Sequence, residues 1–229
     1  MNVLIFGATG MVGQGVLREC LRAGDVDRVM TVGRTDTGAQ HPKLRGLVVP
    51  DLMNYHGLET DLQGFDACFF CLGVSSAGMD EAEYTRLTYD LTLAAAQVLV
   101  RLNRQMTFVY VSGAGTDSTE QGRSMWARVK GRTENALQRL PFKAVYLFRP
   151  GMIQPLHGER SKTTSYRVIY TLARPLLPLL RALFPRQVLT TESVGQAMLT
   201  VARHGASKAV LEAAEINAVA SGTAALEGG

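Results

Sequence analysis

Several residue types that define specialised protein classes are scarce in this chain. Its 229 residues include three cysteines and one tryptophan. Cys68 and Cys71 have the spacing of a redox pair, but residues three apart in a strand point to opposite faces, so we interpret both as core cysteines. The four histidines show no metal-ligand spacing among themselves or with the cysteines. We therefore predict no metal site.

Charge is scarce as well, at 19% of residues and a formal net charge of +4. The basic residues are scattered rather than clustered, so nucleic acid is not an expected partner. No charged segment followed by a cleavage site opens the chain, which predicts no secretory signal and, by default, a cytoplasmic location. The apolar fraction of 46% in a chain of this length predicts one α/β core rather than two domains.

An apolar strand at residues 2–6 runs directly into a glycine-spaced turn and a helix. In the G-x-x-G-x-x-G spacing, the first glycine makes the tight turn, the second lets the backbone approach a pyrophosphate, and the third lets the helix pack on the strand. The N–H groups at the helix N-terminus then attract the phosphates. We therefore predict a bound dinucleotide, held by Gly7, Thr9, Gly10, Met11, Val12 and Gly13.

Strand and helix patterns alternate along the rest of the chain. The predicted strands are residues 28–32, 46–49, 66–70, 107–111 and 144–148, and the predicted helices are residues 80–102, 123–140 and 191–203. This alternation predicts an α/β fold with a doubly wound parallel sheet, the Rossmann fold. The predicted domain covers residues 1–217, with a lid or substrate region at 152–190, and a loose tail follows at 218–229.

Further cofactor contacts are expected where the predicted strands end. A Rossmann fold places an acid for the ribose ~20 residues after the glycines, but Gly33 and Arg34 stand there. The Arg34 guanidinium suits the 2′-phosphate of NADP, although a solvated loop arginine is the alternative. Asp51 either accepts from the adenine amino group or is an ordinary loop aspartate, and Leu52 beside it is also expected to contact the cofactor. Ribose contacts are expected at Cys71, Leu72 and Gly73.

Six short stretches together resemble an atypical member of the extended short-chain dehydrogenase/reductase family, most closely its HIV Tat-interacting oxidoreductase-like branch. They are residues 7–13, 32–34, 71–73, 111–113, 129–131 and 148–151, and a weaker match continues through 189–195. The resemblance implies NADP as cofactor, with Ser112 holding a substrate oxygen and Lys130 bonding the nicotinamide ribose. It also implies that the nicotinamide lies beside Pro150, Gly151, Met152 and Ile153.

Two residues depart from the family pattern. Trp126 stands four residues before Lys130, where family enzymes carry the tyrosine that donates a proton, and an indole N–H cannot act as a general acid. Thr88 stands where the family's catalytic asparagine is expected. Trp126 either packs on the core side of its helix or contributes to the cofactor pocket. These departures affect the reaction and leave cofactor binding untouched.

Residues 163–185 form an apolar segment striped by Arg167, Arg174 and Arg181, which are spaced seven apart. The arginines and two prolines argue against a membrane span. A substrate lid, a homodimer surface and a membrane-surface helix all fit this pattern, and the resemblance favours the lid.

The sequence therefore supports two hypotheses of function. The first is an NADP(H)-dependent oxidoreductase or isomerase of a small carbonyl or hydroxyl compound. The second is a non-catalytic NADP(H)-binding protein that reports redox state to a protein partner through residues 163–185. Trp126 favours the second hypothesis, whereas Ser112 and Lys130 favour the first.

Overall fold

The computed structural model describes residues 1–159 and 187–223. Seven parallel strands form its main sheet, in the order β3-β2-β1-β4-β5-β6-β9. The strands are β1 (Asn2–Phe6), β2 (Arg28–Gly33), β3 (Leu44–Val48), β4 (Ala67–Phe70), β5 (Thr107–Val111), β6 (Ala144–Arg149) and β9 (Val210–Glu212). The order reverses between β1 and β4, which confirms the predicted doubly wound α/β fold.

Helices cover both faces of this sheet. They are α1 (Met11–Arg22), α2 (Glu81–Thr85), α3 (Leu91–Leu102), α4 (Met125–Gln138), α5 (Thr191–His204) and α6 (Ala213–Ala220). Buried side chains of α1, α5 and α6 form one apolar layer, and those of α3 and α4 contribute to the other. Because both faces are covered, β4 is buried at every position, as its continuous apolar sequence predicts.

The two neighbouring cysteines confirm the alternation expected of a strand. Cys68 packs in the layer of α3, whereas Cys71 packs against the layer of α1, and both are free thiols. They lie on opposite sides of the sheet and form no pair.

The helix predicted over residues 80–102 begins as expected but is not uniform. Asp80 caps it, because its Oδ1 accepts the Glu83 N–H at 2.8 Å. A π-helical turn at Arg86–Asp90 then separates α2 from α3. The third strand begins at Leu44, two residues before its predicted start, because backbone pairing with β2 extends it although its side chains are largely exposed.

Three short strands and one helix were missing from the sequence prediction. β7 (Met152–Gln154) pairs with β8 (Val188–Thr190) in a small second sheet, and β9 adds the seventh strand to the main one. Helix α6 continues past residue 217 and buries Val219, so the packed chain extends into the predicted loose tail. The arginine-striped segment 163–185 and residues 224–229 lie outside the described residues.

Within the described ranges, no helix combines the length and the hydropathy needed to cross a bilayer.

Candidate functional site

The carboxyl ends of β1, β4, β5 and β6 meet at one edge of the sheet, beside the point where the strand order reverses. Ligands bind open parallel sheets at this position. The predicted glycine turn follows β1, residues 71–73 follow β4, Ser112 follows β5, and Pro150 follows β6. The fold thus brings four sequence-predicted segments to one edge.

The glycine turn has the close packing that its spacing predicts. Gly7 has a φ of +77°, and its carbonyl accepts the Gly10 N–H at 2.9 Å. A Cβ on Gly13 would lie 2.1 Å from the Gly7 oxygen, so no larger residue fits there without movement of the backbone. Gly10 is the N-cap of α1 and has no side chain to cap it. The first-turn N–H groups, from Met11 onward, therefore remain available to an anion.

The segment after β4 touches this turn directly. A Cβ on Gly7 would lie 2.7 Å from the Leu72 nitrogen and 2.8 Å from the Cys71 oxygen. Gly73 is exposed, and a Cβ there would meet no atom within 4 Å. The turn and residues 71–73 thus form two adjoining walls of one crevice.

The residues expected at the adenine end differ in accessibility. Arg34 is exposed immediately after β2. Asp51 is also exposed, and its Oδ1 already accepts the Met53 N–H at 2.9 Å. Leu52 is 4% exposed and packs in the core, which leaves only its backbone to meet a ligand. The adenine contacts of Asp51 and Leu52 stay predictions.

Helix α4 places Lys130 at the end of β5. Its Nζ donates to the Ser112 carbonyl at 2.8 Å and lies 5.8 Å from the centre of the Tyr110 ring. Burial lowers the pKa of Lys130 to about 8, against a smaller opposing effect of Glu134. The structure therefore brings the two predicted catalytic residues together.

The Ser112 hydroxyl is already engaged. Its Oγ lies 2.6 Å from Glu134 Oε1 and 3.1 Å from the Phe148 carbonyl, and the residue is only 9% exposed. A serine hydroxyl has one proton to donate. It would have to leave these acceptors to donate to a substrate oxygen, so the role implied by the family resemblance stays a prediction.

A buried ion pair beneath Ser112 was not anticipated from the sequence. Glu134 is 1% exposed, and Arg149 donates to its two carboxylate oxygens through Nε, at 3.0 and 3.2 Å, and through a terminal nitrogen. The carboxylate raises the pKa of Arg149. The only sequence signal was the four-residue spacing of Lys130 and Glu134, which places both on one face of α4.

The two residues that depart from the family pattern also lie at this edge. Trp126 is half-buried, and a Cβ on Gly115 would lie 3.6 Å from its ring, so the indole packs against the loop that follows β5. Thr88 is 6% exposed within the π-helical turn, and its hydroxyl has no hydrogen-bond partner among the residues that the structure describes. Such turns are frequent at functional sites. Ser124, the N-cap of α4, is exposed.

The segment after β6 continues into β7. Pro150 is buried and its carbonyl accepts the Ala114 N–H at 2.9 Å, whereas Gly151 is exposed. Met152 is 41% exposed, but Ile153 is 5% exposed and packs in the core. Of the residues expected beside the nicotinamide, Gly151 and Met152 therefore offer the most accessible surface.

No group of three His, Cys, Asp or Glu side chains in residues 1–159 and 187–223 is arranged to hold a metal ion.

No family model matches the chain. Sequence relatives are nevertheless found among characterised proteins. The mitochondrial protein FMP52 of Saccharomyces cerevisiae is 30% identical over 167 residues, which cover 71% of this chain and 69% of that protein. The protein HTATIP2 of Rattus norvegicus is 26% identical over 155 residues, or 66% of this chain and 62% of that protein.

Solved structures share the fold at lower identity. The enzyme WbmF of Bordetella bronchiseptica, solved in complex with NAD⁺, aligns with a TM-score of 0.67 at 19% identity over 99% of this chain and 78% of its own. A short-chain dehydrogenase/reductase family oxidoreductase from Burkholderia thailandensis aligns with a TM-score of 0.68 at 16% identity, over 99% and 95% of the two chains. Both comparisons support the Rossmann fold.

The relatives correct one prediction. The cytoplasmic location was inferred from the lack of a recognisable signal, whereas the FMP52 relatives are mitochondrial proteins. The cytoplasmic prediction is therefore wrong: it rested on the lack of one kind of signal, which does not identify a compartment.

Proposed function

The chain belongs to the family of FMP52 and has the Rossmann fold, and from this premise we propose that it is an NADP(H)-dependent oxidoreductase or isomerase. Its substrate in this proposal is a small carbonyl or hydroxyl compound. The nicotinamide cofactor would supply or accept the hydride, and the protein would bind and orient both partners.

The observation that carries the proposal is the glycine turn at the N-terminus of α1. A Cβ on Gly13 would meet the Gly7 oxygen at 2.1 Å, and the N-cap is a glycine with no capping side chain. This geometry combines close backbone approach with free N–H donors and the positive end of a helix dipole. A pyrophosphate fits such a cradle better than any neutral ligand does.

The choice of NADP over NAD rests on Arg34. The residue is exposed at the end of β2, where an acidic residue would bind the ribose hydroxyls of NAD. A carboxylate would repel a 2′-phosphate, whereas a guanidinium forms bidentate hydrogen bonds with it. Arg34 thus supports a preference for NADP(H).

The catalytic contribution expected from this chain is limited. Lys130 would hold the nicotinamide ribose, and Gly151 and Met152 would border the nicotinamide itself. The indole of Trp126 has no proton to transfer at any accessible pH. In this proposal the protein therefore supplies cofactor binding and substrate orientation, while the proton comes from water or from another hydroxyl such as that of Ser124.

A second candidate is a non-catalytic NADP(H)-binding protein that signals redox state to a protein partner. Two observations favour it: Trp126 replaces the proton donor, and the Ser112 hydroxyl is directed to Glu134 rather than to a ligand. The surface that would contact such a partner, residues 163–185, lies outside the described part of the chain.

Calorimetric titration with NADPH and NADH, combined with NADPH oxidation assays on a panel of aldehydes and ketones, separates these candidates. Binding of NADPH with turnover of a panel member supports the enzyme. Tight binding with no turnover supports the redox reporter. Failure to bind either nucleotide would refute both.

A further inference from the structure

We propose that Glu134, held by Arg149, is a positioning residue that fixes the ammonium group of Lys130 at the end of β5. The inference deepens the proposed function and rests on it, because Lys130 is the residue assigned there to the cofactor ribose. Glu134 itself touches neither the predicted cofactor surface nor solvent, since it is 1% exposed.

Helix α4 holds Ser112 at two points. Lys130 donates to the Ser112 carbonyl at 2.8 Å, and Glu134, one helical turn later, accepts from the Ser112 hydroxyl at 2.6 Å. The two contacts fix both the rotation of α4 about its axis and its height above the sheet. Loss of the Glu134 contact would leave the Lys130 hydrogen bond as the remaining one of these two contacts between α4 and Ser112.

Arg149 fixes Glu134 in turn. Its guanidinium bonds both carboxylate oxygens from the end of β6, and it also donates to Ser118 Oγ at 2.5 Å and contacts Glu212 at 3.5 Å. A bidentate arginine pair constrains direction as well as distance. The ends of β5, β6 and β9 are therefore tied to α4 through one buried carboxylate.

The same arrangement determines the electrostatic environment of Lys130. The groups around its ammonium are Glu134 on its own helix, the Tyr110 ring on β5, the Ser112 carbonyl just after β5, and Arg149 on β6, which pairs with Glu134. Glu134 favours the charged lysine, but Arg149 neutralises much of its charge. Removing Glu134 and removing Arg149 should therefore change the proton affinity of Lys130 in opposite directions.

This difference in sign provides a test that needs no ligand. The Lys130 side chain would be titrated by NMR in the full-length protein labelled with ¹³C-lysine, with its signal assigned from Lys130→Arg. We expect the midpoint to fall by about one pKa unit in Glu134→Gln and to rise by a similar amount in Arg149→Met. Glu134→Asp, which retains the charge, should restore most of the wild-type midpoint.

Glu81→Gln is the matched control. Glu81 pairs with Arg128, which also lies on α4, at 2.6 Å, but this pair is largely exposed. Its loss should leave the Lys130 midpoint unchanged. An unchanged midpoint in folded Glu134→Gln, or shifts of the same sign in both variants, would overturn the proposal. If either variant fails to fold, Ser112→Ala serves instead. Its loss removes a hydrogen bond that the Glu134 carboxylate accepts, so more of the carboxylate charge acts on Lys130 and the midpoint should rise.

A second measurement separates this inference from the proposed function. If the wild type binds NADPH, Glu134→Gln should weaken that binding by about tenfold, as expected for a displaced charged hydrogen-bond donor, and Glu81→Gln should not. Failure of the wild type to bind NADPH would refute the proposed function, but the ligand-free titration would still decide the role of Glu134.

Discussion

The two ends of the cofactor site proposed above are built in different ways. At the turn between β1 and α1, backbone groups make the site, because the glycines there have no side chains to cover the backbone. At the ends of β5 and β6 the site is made by side chains, from Lys130, Glu134 and Arg149. The first kind of site is specified within seven consecutive residues, whereas the second requires three segments of the chain to meet.

This difference between a backbone site and a side-chain site explains at which residues the chain retains the family pattern and at which residues it departs from that pattern. Gly13 cannot change without a clash between α1 and the backbone of the turn that follows β1, so the packing of this turn favours glycine there. Trp126 packs against the loop after β5 and is only half-buried. The fold therefore constrains the residue at position 13 more strongly than the residue at position 126.

The largest expected effect comes from breaking the backbone site with Gly13→Ala. The added Cβ would lie 2.1 Å from the Gly7 oxygen and 2.7 Å from its carbonyl carbon, and neither backbone atom can rotate away. We expect the unfolding free energy to fall by about 1–3 kcal/mol or more and NADPH binding to be lost. Urea unfolding and calorimetric titration measure the two effects.

Gly24→Ala is the matched control for that substitution, because a Cβ on Gly24 meets no atom within 4 Å. It should leave both quantities close to their wild-type values. Wild-type nucleotide affinity in Gly13→Ala would show that the turn is not the phosphate site.

The next largest effect is expected from Trp126→Tyr, which places the family's proton-donating tyrosine in the side-chain site. Positioned general acid catalysis contributes typically about 10²- to 10⁴-fold in rate, so NADPH-dependent turnover of carbonyl compounds should rise within that range. Steady-state assays on the aldehyde and ketone panel measure it. Trp126→Phe, which removes the indole without adding a phenol, should give no such gain.

An alternative proton donor would give a different pattern of activities among the wild type and its variants. If wild-type turnover is brisk, if Trp126→Tyr fails to raise it, and if Ser124→Ala abolishes it, then the proton donor has moved to the start of α4 rather than disappeared. Ser124 is exposed there, two residues before Trp126.

The same contrast accounts for what the sequence could predict. The glycine turn and the parallel α/β sheet follow from local patterns, and the roles of Ser112 and Lys130 at one site follow from the family resemblance. The pairing of Glu134 with Arg149 does not, because each residue alone resembles a surface charge, and only the packed structure shows that the carboxylate is buried. β7, β8 and β9 have three residues each, too few for a periodic signal.

Cofactor choice is the next comparison, and Arg34→Ala tests it. Loss of a hydrogen bond to a charged group costs about 1.5–3 kcal/mol, so NADPH affinity should fall accordingly while NADH affinity hardly changes. Arg45→Ala, on β3, removes a similarly exposed arginine and should affect neither nucleotide. Equal affinities of the wild-type protein for NADPH and NADH would contradict the assignment.

The smallest expected effect is a pH dependence that arises from Lys130. Its pKa is lowered by burial from 10.5 to about 8, and the ammonium is the form that can donate to ribose oxygens. Ligand binding should raise this pKa, so nucleotide affinity should be constant from pH 7 to 8. Above pH 8 it should fall, by up to about tenfold per pH unit, because each binding event then takes up one proton.

Stability should change in the opposite direction over the same range. Between pH 8 and 10.5 the unfolded chain holds more protons on this lysine than the folded protein does, so the Lys130 contribution to the unfolding free energy rises with pH. Falling nucleotide affinity together with rising stability distinguishes the titration of Lys130 from general alkaline denaturation, in which both quantities would fall.

Two variants serve as controls. Lys130→Met should abolish the pH dependence of both affinity and stability, and Lys130→Arg, whose guanidinium stays charged, should keep the affinity constant to pH 9.5. Wild-type slopes that persist in Lys130→Met would assign the titration to another group and leave the side-chain end of the crevice without a demonstrated role in binding.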